Sequence, residues 1–167
     1  MRTWKDELKE WGLALIIGVA LIVFIRSFVV TTYHIEGDSM LPTLHSKDQV
    51  VVSLVTPINR GDLVILKNRD DQEIVKRVVG IPTDTIEFKN NQLLINGERL
   101  VESYIYEQDY EVDDFQVELD DQSYFVLGDN RKRSLDSRVL GVFTKDDIVG
   151  EVKLVYYPVS HLSWLHY

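Results

Sequence analysis

Asp62-Leu-Val-Ile-Leu-Lys-Asn-Arg-Asp-Asp-Gln-Glu-Ile-Val-Lys-Arg-Val-Val79 is the stretch on which the fold turns. Two apolar, largely β-branched runs, Asp62–Leu66 and Glu73–Val79, flank the turn-forming Asn68-Arg69-Asp70-Asp71. That pattern reads as two strands around a turn. It repeats outward along the chain, at Val29–Ile35, Gln49–Val55, Thr85–Phe88, Leu93–Ile95, Tyr124–Leu127 and Glu151–Tyr157. Turn residues punctuate these runs at Asn59-Arg60-Gly61-Asp62, Asn90-Asn91 and Asn96-Gly97. An Asn-Gly pair between apolar runs is a strong hairpin signal. No second long helical period follows the N-terminal segment. The expected fold class is therefore mainly β: an antiparallel sheet domain, coiled or partly closed. Residues 101–122, acidic and aromatic (Tyr104, Tyr106, Tyr110, Phe115), read as an inserted excursion on that sheet.

One segment breaks the pattern. Trp11–Val30 spans 20 residues, about 30 Å as a helix, which matches a bilayer core. It is apolar all round, unlike the one-sided stripe of a core helix. Arg26 lies near one end, where it can reach the interface. Arg2, Lys5 and Lys9 precede the span, and after Arg26 the next base is Lys47. The positive-inside rule then puts residues 1–10 in the cytoplasm, 11–30 in the cell membrane as a single transmembrane anchor, and 31–167 outside as the β-rich domain. The only alanines, Ala14 and Ala20, lie inside the span, so no A-x-A-like cleavage site follows it. Phe28, Val29, Trp164, Leu165 and Tyr167 supply groups suited to a bilayer interface, or to packing on the sheet.

The net charge is −9, from 18 Lys/Arg and 27 Asp/Glu, and the first 26 residues hold four of those bases and three of those acids. The acidity lies downstream. Without a basic stripe, nucleic acid is not an expected partner. There is no Cys, which excludes disulfides and thiolate chemistry. The four His (His34, His45, His161, His166) have no metal-ligand spacing, so no metal is expected.

Three segments carry candidate chemistry. In Gly37-Asp38-Ser39-Met40-Leu41-Pro42-Thr43-Leu44, a hydroxyl sits on a tight turn at a strand end, beside its own backbone N–H. Acyl transfer needs such a pair, although serines also form turns for their own sake. In Glu73–Val79, strand alternation puts Ile74, Lys76 and Val78 on one face and Val75, Arg77 and Val79 on the other. Apolar neighbours desolvate Lys76 and favour its neutral form, while an exposed edge-strand Lys would merely deter aggregation. A free Lys is neutral only about one part in a thousand at pH 7. The third segment, Gly128–Arg138, is a dense polar loop of the kind that braces a site or simply faces solvent.

Together the three segments resemble the type I signal peptidases, Ser/Lys-dyad serine proteases, in the compact Gram-positive form. The matches are Ser39-Met40-x-Pro42-Thr43-Leu44, then Val75-Lys76-Arg77-Val78-x-Gly80 with Pro82 and Asp84, then Gly128-Asp129-Asn130-Arg131, Ser134, Asp136-Ser137-Arg138 and Gly141. The resemblance implies a coiled antiparallel β-sheet catalytic domain at a membrane surface. It implies Ser39 as nucleophile, Lys76 as general base, the Ser39 backbone N–H as oxyanion donor, and Ser134 as a hydrogen-bond partner orienting Lys76. Asp129 would pair with Arg77 and Asp136 with Arg138. The implied partners are the lipid bilayer and preprotein signal peptides with small residues at −1 and −3; no cofactor is implied. The extended substrate would join the sheet beside Ile35, Asp38, Ile74 and Val75. Gly37 departs from the pattern of members that carry a Ser hydroxyl there as a second oxyanion donor.

Overall fold

A computed structural model describes residues 4–105 and 110–165, apart from the side chains of Lys5 and Asp6. Arg2, Tyr106, His166 and Tyr167, invoked above, lie outside the described residues.

The chain opens with helix α1, Trp4–Phe28. Its Glu7–Phe28 portion has a mean hydropathy of 2.2, and none of it is buried against the rest of the protein. That bareness argues against a core helix. The helix begins seven residues before the expected Trp11 and ends before Val30, which belongs to the first strand. Leu, Lys and Glu in the first turns are good helix formers, whereas Val29-Val30-Thr31-Thr32 is a β-branched run.

The strands follow in order: β1 Val30–His34, β2 Gln49–Ser53, β3 Leu63–Lys67, β4 Glu73–Gly80, β5 Thr85–Lys89, β6 Gln92–Ile95, β7 Glu98–Arg99, β8 Phe115–Glu118, β9 Ser123–Leu127, β10 Phe143–Thr144, β11 Ile148–Tyr157 and β12 Ser163–Trp164. A four-residue helix α2, Ser137–Leu140, precedes β10. All pairings among the described residues are antiparallel.

Two sheets result. The larger runs β1-β2-β11-β3-β4-β9-β10, with β12 also on β11. The smaller runs β7-β6-β5-β8. This corrects the reading of residues 101–122 as an excursion on one sheet. Phe115–Glu118 pairs with Thr85–Phe88, so part of that stretch is an edge strand of a second sheet. Phe115 and Val117 alternate inward as partly buried groups on the core, while Gln116 and Glu118 point out.

Apolar side chains gather in three clusters. One holds Ile35, Met40, Leu44, Val50, Ile65, Val75 and Leu165. A second, under the smaller sheet, holds Val79, Ile86, Phe88 and Phe125. A third holds Val64, Leu66, Val78 and Val126, with Ile74 against it. β4 therefore feeds opposite sides of its sheet in alternation, as its sequence predicts. At the C-terminal end, Leu165 is buried in the first cluster and Trp164 is exposed, so sheet packing and an outward-facing aromatic coexist in the tail.

Candidate active site

Ser39 sits in the segment that leaves β1 and returns as β2. Met40 and Leu44 are buried and pin that segment to the first apolar cluster. Gly37 has φ +84°, the left-handed region that favours glycine, and so allows the sharp bend before Ser39. From across the site, the Asn130 backbone N–H donates to the Ser39 carbonyl at 3.0 Å, and Asn130 Nδ2 donates to the Asp38 carbonyl at 3.0 Å. The Ser39 N–H itself donates to no acceptor among the described residues.

Lys76 projects from β4 at 3% exposure. Its Nζ lies 2.9 Å from Ser39 Oγ and donates to the Val75 carbonyl at 2.8 Å. Burial lowers its pKa from the ordinary 10.5 to about 8, while the Asp136 and Asp129 carboxylates pull the other way. The expected hydrogen bond from Ser134 to Lys76 is not formed. Ser134 Oγ is buried and has no hydrogen-bond partner. The Lys76 side chain instead turns back on its own strand, where the Val75 carbonyl takes the role assigned to that hydroxyl. Ser134 still borders the site: a Cβ built on Gly128 would lie 2.5 Å from both Ser134 Cβ and the Ser39 carbonyl oxygen. Only glycine fits at 128.

The two predicted ion pairs are present. Arg77 Nε donates to Asp129 Oδ1 at 2.8 Å and Arg77 Nη2 to Oδ2 at 2.6 Å, with both side chains fully buried. The fork matches the carboxylate in the bidentate geometry of a strong pair. Arg77 also donates to the Gly61 carbonyl at 2.7 Å, and Thr43 Oγ1 donates to Asp129 Oδ2. Arg138 binds Asp136 through two contacts of 2.8 Å and donates to the Arg131 carbonyl at 2.8 Å. Asp136 further accepts from the Gly128 N–H at 3.0 Å and caps α2.

Several participants had no assigned role in the sequence reading. Thr43 and Asn130 lie inside the matched segments and bridge them. Tyr104 lies in the 101–122 stretch, with its ring 4.0 Å from the Arg77 guanidinium. Its hydroxyl donates to Glu102, which in turn pairs with the buried Arg131. Burial pushes the Tyr104 hydroxyl pKa far up, so it stays a neutral donor. No local pattern announces such a contact, because Arg77 and Tyr104 meet only once the chain between them has folded.

A cavity of about 200 Å³ opens beside Ser39 and Lys76. Ile35, Ile65, Ile74, Val75, Ser39 and Lys76 are among its lining residues. Three of the four residues expected to meet substrate therefore line it; Asp38 does not, and its carboxylate faces Arg133 at 3.5 Å. β4 pairs with β9 only from Arg77 onward, so among the described residues the Glu73–Lys76 edge has no strand neighbour on that side. β1 is the last strand at its own edge of the sheet.

Comparison with known proteins agrees with this geometry. Residues 8–157 match the family model "Signal peptidase, peptidase S26". The chain is 43% identical over 173 residues to signal peptidase I S of Bacillus subtilis (strain 168), covering 95% of this chain and 94% of that protein. It is 33% identical over 181 residues to signal peptidase IB of Staphylococcus aureus (strain MRSA252), covering 96% and 95%. Among solved structures, the crystal structure of a signal peptidase I from Enterococcus faecalis V583 superposes with a TM-score of 0.53 at 30% identity, covering 58% of this chain and 97% of that one. The N-terminal apolar helix and these relatives indicate a membrane-anchored protein. The chain belongs to the signal peptidase family, peptidase S26, and is a serine peptidase of the signal peptidase I type that removes signal peptides from preproteins.

Proposed function

We propose that Ser39 and Lys76 form the catalytic dyad of this peptidase, and that it cuts after small residues at −1 and −3. The observation that carries the reading is the 2.9 Å approach of Lys76 Nζ to Ser39 Oγ, joined to a Lys pKa lowered to about 8. At that pKa about a tenth of Lys76 is neutral at pH 7, against less than one part in a thousand for a free Lys. Neutral Lys76 accepts the Ser39 proton as Oγ attacks the scissile carbonyl. The Ser39 N–H, free of other acceptors, faces the developing oxyanion. Protonated Lys76 then donates to the leaving amine, and a water deprotonated by Lys76 hydrolyses the acyl-enzyme. No step calls on a cofactor.

Substrate selection follows from size and backbone chemistry. The small cavity bounded by Ile35, Ile65 and Val75 suits short apolar side chains. An extended peptide satisfies its own N–H and C=O groups by pairing with the open Glu73–Lys76 edge and the chain leaving β1. Residues 1–10 lie in the cytoplasm and 31–167 outside, by the basic flank Arg2, Lys5 and Lys9.

The test is the pH profile of kcat/KM on a signal-peptide substrate, which reports groups of the free enzyme. The rate should rise with pH through about 8 and level off above it. Ser39→Ala and Lys76→Arg should each lose at least about a thousandfold while folding normally, since an Arg stays protonated. A limb near pH 10, or Lys76→Arg with near-normal turnover, removes Lys76 from the role.

A further inference from the structure

His45, Asp48 and His161 are scattered in the sequence, and their spacing suggests nothing. Folding brings one donor atom from each within 4.8 Å of the others. Asp48 is 2% exposed and closes the segment that carries Ser39: its carbonyl accepts the Ile35 N–H at 2.8 Å, and its Oδ2 accepts the His45 N–H at 2.8 Å. Its other oxygen, Oδ1, lies 2.8 Å from His161 Nδ1. His161 comes from the short turn Val159–His161 between β11 and β12, more than a hundred residues away. The two imidazole rings are neighbours, centroids 4.6 Å apart and tilted by 35° to one another.

We infer that His45, Asp48 and His161 form a binding site for a divalent transition-metal ion of the zinc class, which fastens the Ser39-bearing segment to the C-terminal turn. Two imidazoles and one carboxylate are a donor set suited to such an ion, with a fourth position left to solvent. Tetrahedral bonds of about 2.0–2.1 Å put neighbouring donors about 3.3 Å apart. Closing the widest separation from the present spread needs a shift of about 1.5 Å, and the His45 side chain, 47% exposed, has room to make it. Asp48 is the fixed point, since the backbone on either side of it is already hydrogen-bonded. Nδ1 of a neutral His161 takes the ion as the Nε2–H tautomer, so binding replaces the His161–Asp48 hydrogen bond with metal bonds and releases no proton. The site stands apart from the Ser39/Lys76 chemistry, and its test does not depend on proteolysis.

The probe is Co²⁺, added to the untagged full chain in detergent micelles, followed by visible absorption and by the unfolding temperature. One equivalent should bind, give a visible ligand-field spectrum, and be displaced by Zn²⁺. At a metal concentration of a hundred times Kd, Tm should rise by about 5–10 °C. His45→Ala and His161→Ala should each weaken binding at least tenfold and abolish the Tm rise, while circular dichroism stays unchanged. His34→Ala, at an exposed position on β1, should bind as the parent does. Absence of saturable one-to-one binding, binding unchanged in His161→Ala, or binding lost in His34→Ala would overturn the site.

Discussion

Lys76 and Arg77 are neighbours on one strand, both cationic and both buried, yet their two faces of β4 treat charge in opposite ways. On one face Arg77 meets a bidentate carboxylate, a carbonyl and an aromatic ring. On the other, among the described residues, Lys76 donates to a carbonyl and a hydroxyl, and the acids that act on it do so from a distance. Both cations lose water; only one gains a carboxylate in return. The compensated group stays charged and fixes shape. The uncompensated one is pushed toward neutrality, which is the state a base needs. Position on the strand decides between structure and reactivity, because a shift of one residue exchanges the faces.

Removing the compensation should have the largest effect. Asp129→Ala leaves Arg77 as a buried cation without its carboxylate and should cost about 3–5 kcal/mol, measured by urea unfolding in micelles. In whatever fraction remains folded, the kcat/KM limb should also move below the parent's, because Asp129 helps hold the Lys76 proton. A loss under about 1 kcal/mol would mean that the Arg77 face is not the compensated one.

Lys76→Met reverses the sign. Below about pH 8 the parent buries an ammonium that the variant does not. The shift from 10.5 to about 8 corresponds to about 3 kcal/mol at most, less what the lost hydrogen bonds supplied. The inactive variant should therefore be more stable than the parent at pH 7, by about 1–3 kcal/mol. The gap should close as pH rises from 8 to 10.5, where the unfolded parent still holds its proton and the folded one has released it. A gap independent of pH would place the Lys76 charge in water.

The smallest effect sharpens the Arg77 side. Tyr104→Leu keeps apolar cover but removes the ring from the guanidinium, and should cost about 1 kcal/mol in the same unfolding assay. The pH limb of kcat/KM should stay in place, since Tyr104 touches the other face. A displaced limb would show that the ring, and not only the Asp129 carboxylate, acts on the Lys76 charge.

Much of this was legible in the sequence. Alternation in Glu73–Val79 announced opposite faces, and the paired Arg77/Asp129 and Asp136/Arg138 followed from the matched segments. The apolar run announced α1, although its polar first turns did not. Lines of contact that depend on distant folding were not legible. Phe115–Glu118 is four residues long with a Gln and one Glu, and becomes a strand by pairing with the edge that Thr85–Phe88 offers. Tyr104 meets Arg77, and His161 meets Asp48, through packing that no local period encodes. Ser134 was placed at the right site but given a bond it does not make, because side-chain direction is settled by neighbours rather than by motif.

The place of β11 sets an order of events in the life of the chain. β1 and β2 form one hairpin-like unit carrying Ser39, and β3 and β4 form another carrying Lys76. The two do not pair with each other; Val50–Ser53 and Val64–Leu66 both pair with Ile148–Val155. Synthesis delivers that strand some eighty residues after β3. Contacts of such long range are slow to form because the loop must close first. A nascent chain thus holds Ser39 and Lys76 on separate, unjoined pieces. Their 2.9 Å approach is fixed only once β11 has been made, so a copy that stops short of it has both residues but not their juxtaposition.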